Sequence, residues 1–475
     1  MQGWPHDSQT SYEHSGPLDL FVASLLTDSA ISAEFPYGKL HGLFRLPWFR
    51  RTWVVQEVAV AKKVVFYCGE HLLAFDNLAA AADFTRLPYS RLDAAARHWK
   101  SYLDFHHALA EFIRRHDQGE DVCENVGWGL QDVLTGAVLL DATRPEDKVH
   151  GLYGCAKRLG LDLPTPDYTK SVAKVYTEAT LACFRQAGNL AMLQMVEGSA
   201  AAQFGQPSWV PNFSESLRSW TPINPPKMNG PSKIKGSVSG ASWSQWMTMR
   251  DEVRLKVYGR RVDQVAAVGD AWKMDARPTL FQDAAKPSGQ LAHSLLDCIA
   301  TWLDIVLERD ADGTADANEL MAVQDLTHLL ANGNPSLAGP PGQIDEYLVV
   351  LINCARDKAR GLEPHLFHPD DDITTPVRFG EVYLSRTVMH VIEYISWSAW
   401  KLVFRTSTKA YLGIGGYSCR PGDLVVVLHG MSSPVLLRPC EGGFNFVSAA
   451  FIDGIMDGEF WNAGSEADDE WFILI

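Results

Sequence analysis

The sequence predicts a mixed α/β protein with a long helical region and an antiparallel β-module at its C-terminus. Three observations carry this expectation. A tryptophan-rich helix runs into the β-branched and aromatic stretch Val64–Cys68, and apolar residues recur at helical spacing through much of 92–187. The last seventy residues break into short apolar runs divided by turn signals. At 475 residues, 46% hydrophobic and 21% charged, the chain has globular composition and the length of two to four domains.

Residues 1–16 are polar and glycine- and proline-containing, a loose start before the apolar helix candidate Leu18–Leu26. Pro47 suits a first helical position, and Phe49, Trp53 and Glu57 then fall at i, i+4 and i+8 on one face. Val64–Cys68, stopped by Gly69, reads as a buried strand. Leu92, Trp99, Leu103, Leu109 and Phe112 share a helical period that Val133, Leu134 and Val138 continue in a second helix. Pro145-Glu146-Asp147 places proline and two acids in a first helical turn, which favours the helix dipole. A further helix is expected to begin at Asp167-Tyr168-Thr169, with Val172, Val175, Tyr176, Ala179 and Cys183 on one stripe and Gly188 as its stop.

Residues 222–242, rich in Pro, Gly, Ser and Lys, read as a linker or mobile loop. Val253, Leu255 and Val257 alternate with polar residues as in a half-buried strand ending at Gly259, and 289–306 and 344–357 return to helical spacing. Pro421-Gly422-Asp423 marks a turn before the strands Leu424–Leu428, Val435–Arg438 and Phe444–Val447. The run Phe451–Glu459 reads as a loop closing over that sheet. The expected division is therefore 1–70 as an α/β unit, 71–221 helical, 222–242 linker, 243–400 mixed strand and helix, and 401–475 β-rich.

Charge narrows the function classes. Lys and Arg total 42 against 57 Asp and Glu, so the net charge is −15 and no global field draws a phosphate backbone. No apolar run is long enough to span a membrane, and no secretory signal opens the chain. The eight cysteines are dispersed without a C-x-x-C, as in reduced cytosolic thiols, so the expected location is cytoplasmic.

Four constellations bear on chemistry. Trp53 and Glu57 set a carboxylate beside a large ring, and burial there would raise its pKa and suit it to acid/base work or to stabilising a developing cation. An ordinary core-aromatic helix with Glu57 at its edge is the competing reading. His365 and His368 with Asp370, Asp371 and Asp372 supply metal-ligating types, but Pro364 and Pro369 and the wrong spacing favour an acidic loop. Gly413-Ile414-Gly415-Gly416 lacks the residues of a phosphate cradle and reads as a turn, and Cys68 near His71 reads as a core thiol. No metal site is expected.

Arg45-Leu46-Pro47-Trp48-Phe49-Arg50-Arg51-Thr52-Trp53-Val54-Val55-Gln56-Glu57-Val58, followed by Cys68-Gly69, resembles the core motif of the fungal heterokaryon-incompatibility (HET) domain. Ala142–Val149 with Asp147 and Lys148, Pro166–Val172 with Asp167 and Tyr168, and Pro207–Asn212 with Trp209 are similar to segments that accompany that domain. Pro421–Asp423, Leu437–Pro439 and Gly454–Glu459 are similar to the closing region of such chains. The resemblance implies that 1–70 is the C-terminal remnant of a HET domain, a partial TIR/flavodoxin-like unit, and that the family's upstream blocks are missing through truncation or an incomplete gene model. It implies roles in non-self recognition and programmed cell death, with other incompatibility or signalling proteins or a second copy as partners and no nucleic acid.

In plant-type TIR sequences a W-x-x-x-E motif supplies the glutamate that cleaves NAD, and Trp53 to Glu57 has that spacing. Glu57 is thereby the candidate catalytic residue, and Pro47, Trp48, Phe49, Arg51, Trp53 and Gln56 are its motif neighbours. NAD is implied only as the substrate of an intact relative; this chain is expected to hold no cofactor and to cleave little or no NAD. The alternative is a non-catalytic interaction module.

Overall fold

The structure is a computed structural model. It describes residues 47–61, 64–68, 71–74, 109–120, 129–137, 140–197, 201–214, 238–239, 244–249, 253–272, 289–307, 315–332, 343–362, 377–379, 382–384 and 401–475. The Leu18–Leu26 helix, the 92–108 stretch and His365–Asp372 lie outside these residues, as does most of the 222–242 linker.

The first described element is a 3-10 turn, Pro47–Arg50, which stops at Arg51 in extended conformation (φ −82°, ψ 130°) before helix α1, Thr52–Ala59. The expected continuous face of Phe49, Trp53 and Glu57 is thus interrupted. The cause lies in long-range pairing: Arg51 bridges Asp141, and the Thr52 N–H donates to the Asp141 carbonyl at 3.0 Å. Strand β1, Val65–Cys68, pairs antiparallel with β2, His71–Ala74, as a hairpin. β1 is half-buried rather than buried. Phe66 packs on the core, whereas Tyr67 is 76% exposed, the alternation of a strand with one covered face. A parallel TIR-like sheet is not seen among the described residues.

Residues 109–117 are helical, followed by α2 (Leu130–Ala137), the single turn α3 (Asp147–His150), α4 (Tyr153–Arg158) and α5 (Val172–Ala187). α5 starts five residues later than the spacing predicts. Ser171 is its N-cap, accepting from the Lys174 N–H, while the Asp167 carboxylate folds Asp167–Thr169 into a turn by accepting from the Thr169 N–H and hydroxyl. Gly188 ends α5 with φ 62°.

The second half is built on one long strand. β3 (Trp246–Thr248) leads into β4 (Leu255–Val268), which runs through Gly259 instead of ending there. At Gly259 a Cβ would lie 2.5 Å from the Val427 carbonyl oxygen, so the absence of a side chain lets the neighbouring strand close in. Helices α6 (Gly289–Val306), α7 (Ala315–Asn332) and α8 (Gln343–Ala359) follow; the sequence patterning indicates the first and third but not α7. A short hairpin, β5 (Val377–Phe379) with β6 (Val382–Leu384), comes next.

The C-terminal strands are β7 (Lys401–Thr406), β8 (Leu412–Gly416), β9 (Leu424–Leu428), β10 (Val435–Cys440), β11 (Gly443–Ile452) and, after the one-turn helix α9 (Glu459–Ala463), β12 (Asp469–Leu474). They join β4 in the order β10-β9-β4-β12-β11-β8-β7, and the β4–β7 and β10–β11 pairings close the sheet into a barrel. All neighbours are antiparallel except β11 and β12. The antiparallel module read from the sequence is therefore present, and Val253–Tyr258 belongs to it through β4. Gly413–Gly416 is strand, not turn: at Gly413 a Cβ would sit 2.4 Å from the Phe404 ring and 2.8 Å from the Phe451 carbonyl oxygen.

Side-chain alternation divides the core into three. Val425 and Val427 of β9 point into the barrel with Phe404, Leu436 and Ile452. Leu424, Val426 and Leu428, on the opposite face, join Leu255, Val257 and Phe472 in a core continuous with α1–α5. Val403, Ile414, Ala449 and Phe451 pack against α6, α7 and α8 around Trp302. The barrel is thus clad by helices on two sides, which is why every residue of β9 is buried.

Candidate functional site

The blocks around Trp53, Asp147 and Tyr168 meet at α3. Gln56, on the inner side of α1, accepts a hydrogen bond from the Gly154 N–H at 2.7 Å. A Cβ at Gly154 would lie 2.4 Å from that same Oε1, so the approach requires glycine. Thr52 and Trp53 lie against Gly151, one residue past α3. Asp147 accepts from the Tyr168 hydroxyl at 2.7 Å, the Arg144 guanidinium lies 4.4 Å over the Tyr168 ring, and Arg144 pairs with Glu146 at 3.1 Å. The edge of His150 meets Tyr168 at 4.8 Å between ring centroids. Tyr176 of α5 ties in from the other side by donating to the Pro145 carbonyl at 2.8 Å.

The electrostatics suit holding more than reacting. Burial, followed by the bond to Asp147, pushes the Tyr168 hydroxyl up to about 12, so it stays a neutral donor. Burial pushes Lys148 down to about 8 against the opposing pull of Asp141, and its ammonium donates to the Leu140 carbonyl. Burial likewise lowers His150, opposed by Asp147, Glu146 and Asp167. The Thr169 hydroxyl and N–H hold Asp167 below the usual carboxylate range. Among the described residues no group of three His, Cys, Asp or Glu side chains is arranged to hold a metal ion.

The remaining motif positions divide. Glu57 is exposed on α1, away from the Gln56 contact, and is not enclosed beside Trp53. Pro47 is exposed, Trp48 is 36% exposed and meets Phe66 edge-on at 5.2 Å, and Arg51 presents its side chain to solvent. Phe49 has no described side chain. Trp209 is fully buried far along the chain, where its indole donates to the Val253 carbonyl at 2.9 Å beside β4. Its neighbour Ser208 binds the last residue, Ile475, through its N–H at 2.9 Å and through its hydroxyl, which also accepts from the Phe446 N–H.

Two C-terminal blocks also meet. Asp423, from Pro421–Asp423, accepts two bonds from Arg438, from Leu437–Pro439, at 2.8 and 2.9 Å. Residues 395–475, which include barrel strands β7–β12, match the family model of the Het-6 beta-barrel domain. Across more of its length the chain is similar to Heterokaryon incompatibility protein 6, OR allele, of Neurospora crassa, at 22% identity. The chain is therefore similar to a fungal heterokaryon-incompatibility protein, and its C-terminal part to the barrel domain named after such a protein. The match covers 90% of this chain and 66% of that incompatibility protein, so the chain spans just under two thirds of its relative's length. No solved structure matches.

Sequence reasoning about these incompatibility-type blocks named Asp147 and Tyr168 but missed His150 and the partnership of Arg144 with Tyr168. Both stand beside quoted residues, yet only the folded arrangement shows which ring covers which charge. It also missed the buried pair of Lys401 with Glu197, whose partners lie on distant segments.

Proposed function

We propose that this chain acts in fungal non-self recognition at hyphal fusion, and that it does so by presenting a recognition surface to another protein rather than by chemistry at Glu57. The observation that carries the reading is the similarity to an incompatibility protein along 90% of the chain, barrel included. Its support within the molecule is how the motif side chains are used. Gln56 joins α1 to α4, Asp147 and Arg144 hold Tyr168, Asp423 holds Arg438, and Trp209 anchors to Val253 just before β4. These contacts brace a framework.

Partners in this reading are other incompatibility or signalling proteins, and the expected location is cytoplasmic; among the described residues no helix is long and apolar enough to cross a membrane. The finer reading of 1–70 as a remnant of a TIR-like unit rests on the resemblance of Arg45–Val58 to the HET core motif and on the Trp53 to Glu57 spacing.

The test is genetic. Hyphae carrying this gene, fused with hyphae carrying a divergent allele, should show death of the fused compartments, scored with a vital dye. Deleting the gene should abolish that death. Undiminished death after deletion contradicts the proposal.

A further inference from the structure

His150 is 3% exposed, and its Nδ1 has no hydrogen-bond partner among the described residues. Tyr168 packs against it, held by the bond to Asp147 and by Arg144 over its ring. We propose that His150 and Tyr168 form an acid-sensitive catch: protonation of His150 releases Tyr168 and lets the segment before α5 lift away from α3.

The charged surroundings are mixed. Asp147 and Glu146 lie on the turn that carries His150, Asp167 lies on the segment before α5, and Arg144 precedes the turn. Lys148, on the same turn, is engaged with the Leu140 carbonyl. Tyr176 of α5 donates to the Pro145 carbonyl, and α1 brings Thr52 and Trp53 to the adjoining Gly151. A neutral imidazole tolerates the covered position with one bare nitrogen. A protonated ring carries a donor on both nitrogens, and a buried, unpartnered N–H on a cation costs far more than the neutral lone pair.

Swinging out from under Tyr168 brings that cation to water and to the three nearby carboxylates. Asp147 then serves the imidazolium instead of the Tyr168 hydroxyl.

The sign follows from linkage. Burial holds the covered imidazole below its ordinary value, so the open form binds more protons, and opening grows as pH falls through about 6.5. One pH unit lower, the gain reaches at most about tenfold, the ratio of charged to neutral imidazole in the open form.

The experiment is hydrogen exchange on the full chain, following peptides over 144–153 and 166–176 at about pH 7 and about pH 5.5, corrected for intrinsic rates. The wild type should open several-fold more at the lower pH. His150→Phe keeps a ring against Tyr168 but takes no proton, and should lose that increase. An equal increase in His150→Phe, or none in the wild type, overturns the proposal.

Imidazole NMR titration provides a second check that does not depend on that variant folding. Tyr168→Phe, which cannot bond Asp147, should move the His150 titration up toward the ordinary value and raise exchange at neutral pH. An unmoved titration overturns the catch.

Discussion

Asp423 is almost wholly buried, and its carboxylate is satisfied by Arg438 at 2.8 and 2.9 Å and by the Arg420 N–H at 2.8 Å. Arg438→Ala leaves a buried charge short of two partners and should lower the unfolding free energy by about 3 kcal/mol in urea titration. Arg438→Lys should recover only part of this, because an ammonium cannot reproduce the two-pronged contact. Asp263 gives a pH signature. Burial disfavours its ionisation, but the N–H groups of Lys409, Gln264 and Thr408 and the Thr406 hydroxyl outweigh that and hold the carboxyl at about 2. A depressed carboxyl stabilises the fold above its unfolded value, and the contribution is lost as pH falls toward the folded one. Asp263→Asn should therefore cost about 2 kcal/mol above pH ~4, and the difference from wild type should vanish by pH ~2. A difference constant across that range contradicts the assignment.

Among elements, local signals were legible where one force dominates. The β9 run Leu424–Leu428 follows from its β-branched patterning and is present, and the helix expected from Asp167–Thr169 to a stop at Gly188 is present too, its stop as expected but its start moved to Val172 by the Ser171 cap. β8 was not legible, because its Gly-Ile-Gly-Gly composition is that of a turn. Its strand conformation comes from pairing with β7 and β11, where the Phe404 ring and the Phe451 carbonyl leave no room for a Cβ at Gly413, and no local pattern encodes that pairing. Gly413→Ala should cost about 1–3 kcal/mol by overpacking, read as a lowered melting temperature. The break at Arg51 was equally invisible, since Asp141 lies ninety residues downstream. For the candidate site, Asp147 and Tyr168 could be named from their blocks. That Tyr168 shields His150 could not be foreseen, because a hydrogen bond across a turn leaves no periodicity.

At the scale of the molecule, the barrel and the α1–α5 region share one core through the outer faces of β4, β9 and β12. Their seam is polar as well as apolar. Lys401 of β7 pairs with buried Glu197 beside the Glu197 to Ser448 bridge, and Ser208 holds Ile475 at the chain's end. Deleting 405–475 would strip β4 of β9, β12 and the last two residues of β7, exposing Leu255, Val257 and the floor of the helical core. The truncated chain should lose solubility or melt well below the full chain, and a fully stable truncation product contradicts this shared-core account.

The proposed recognition role makes killing independent of Glu57, which is exposed on α1. The hyphal-fusion assay tests this directly when Glu57→Ala replaces the wild type at matched protein level and matched circular dichroism. The account predicts undiminished death of fused compartments in Glu57→Ala. A folded Glu57→Ala protein that no longer kills would contradict it.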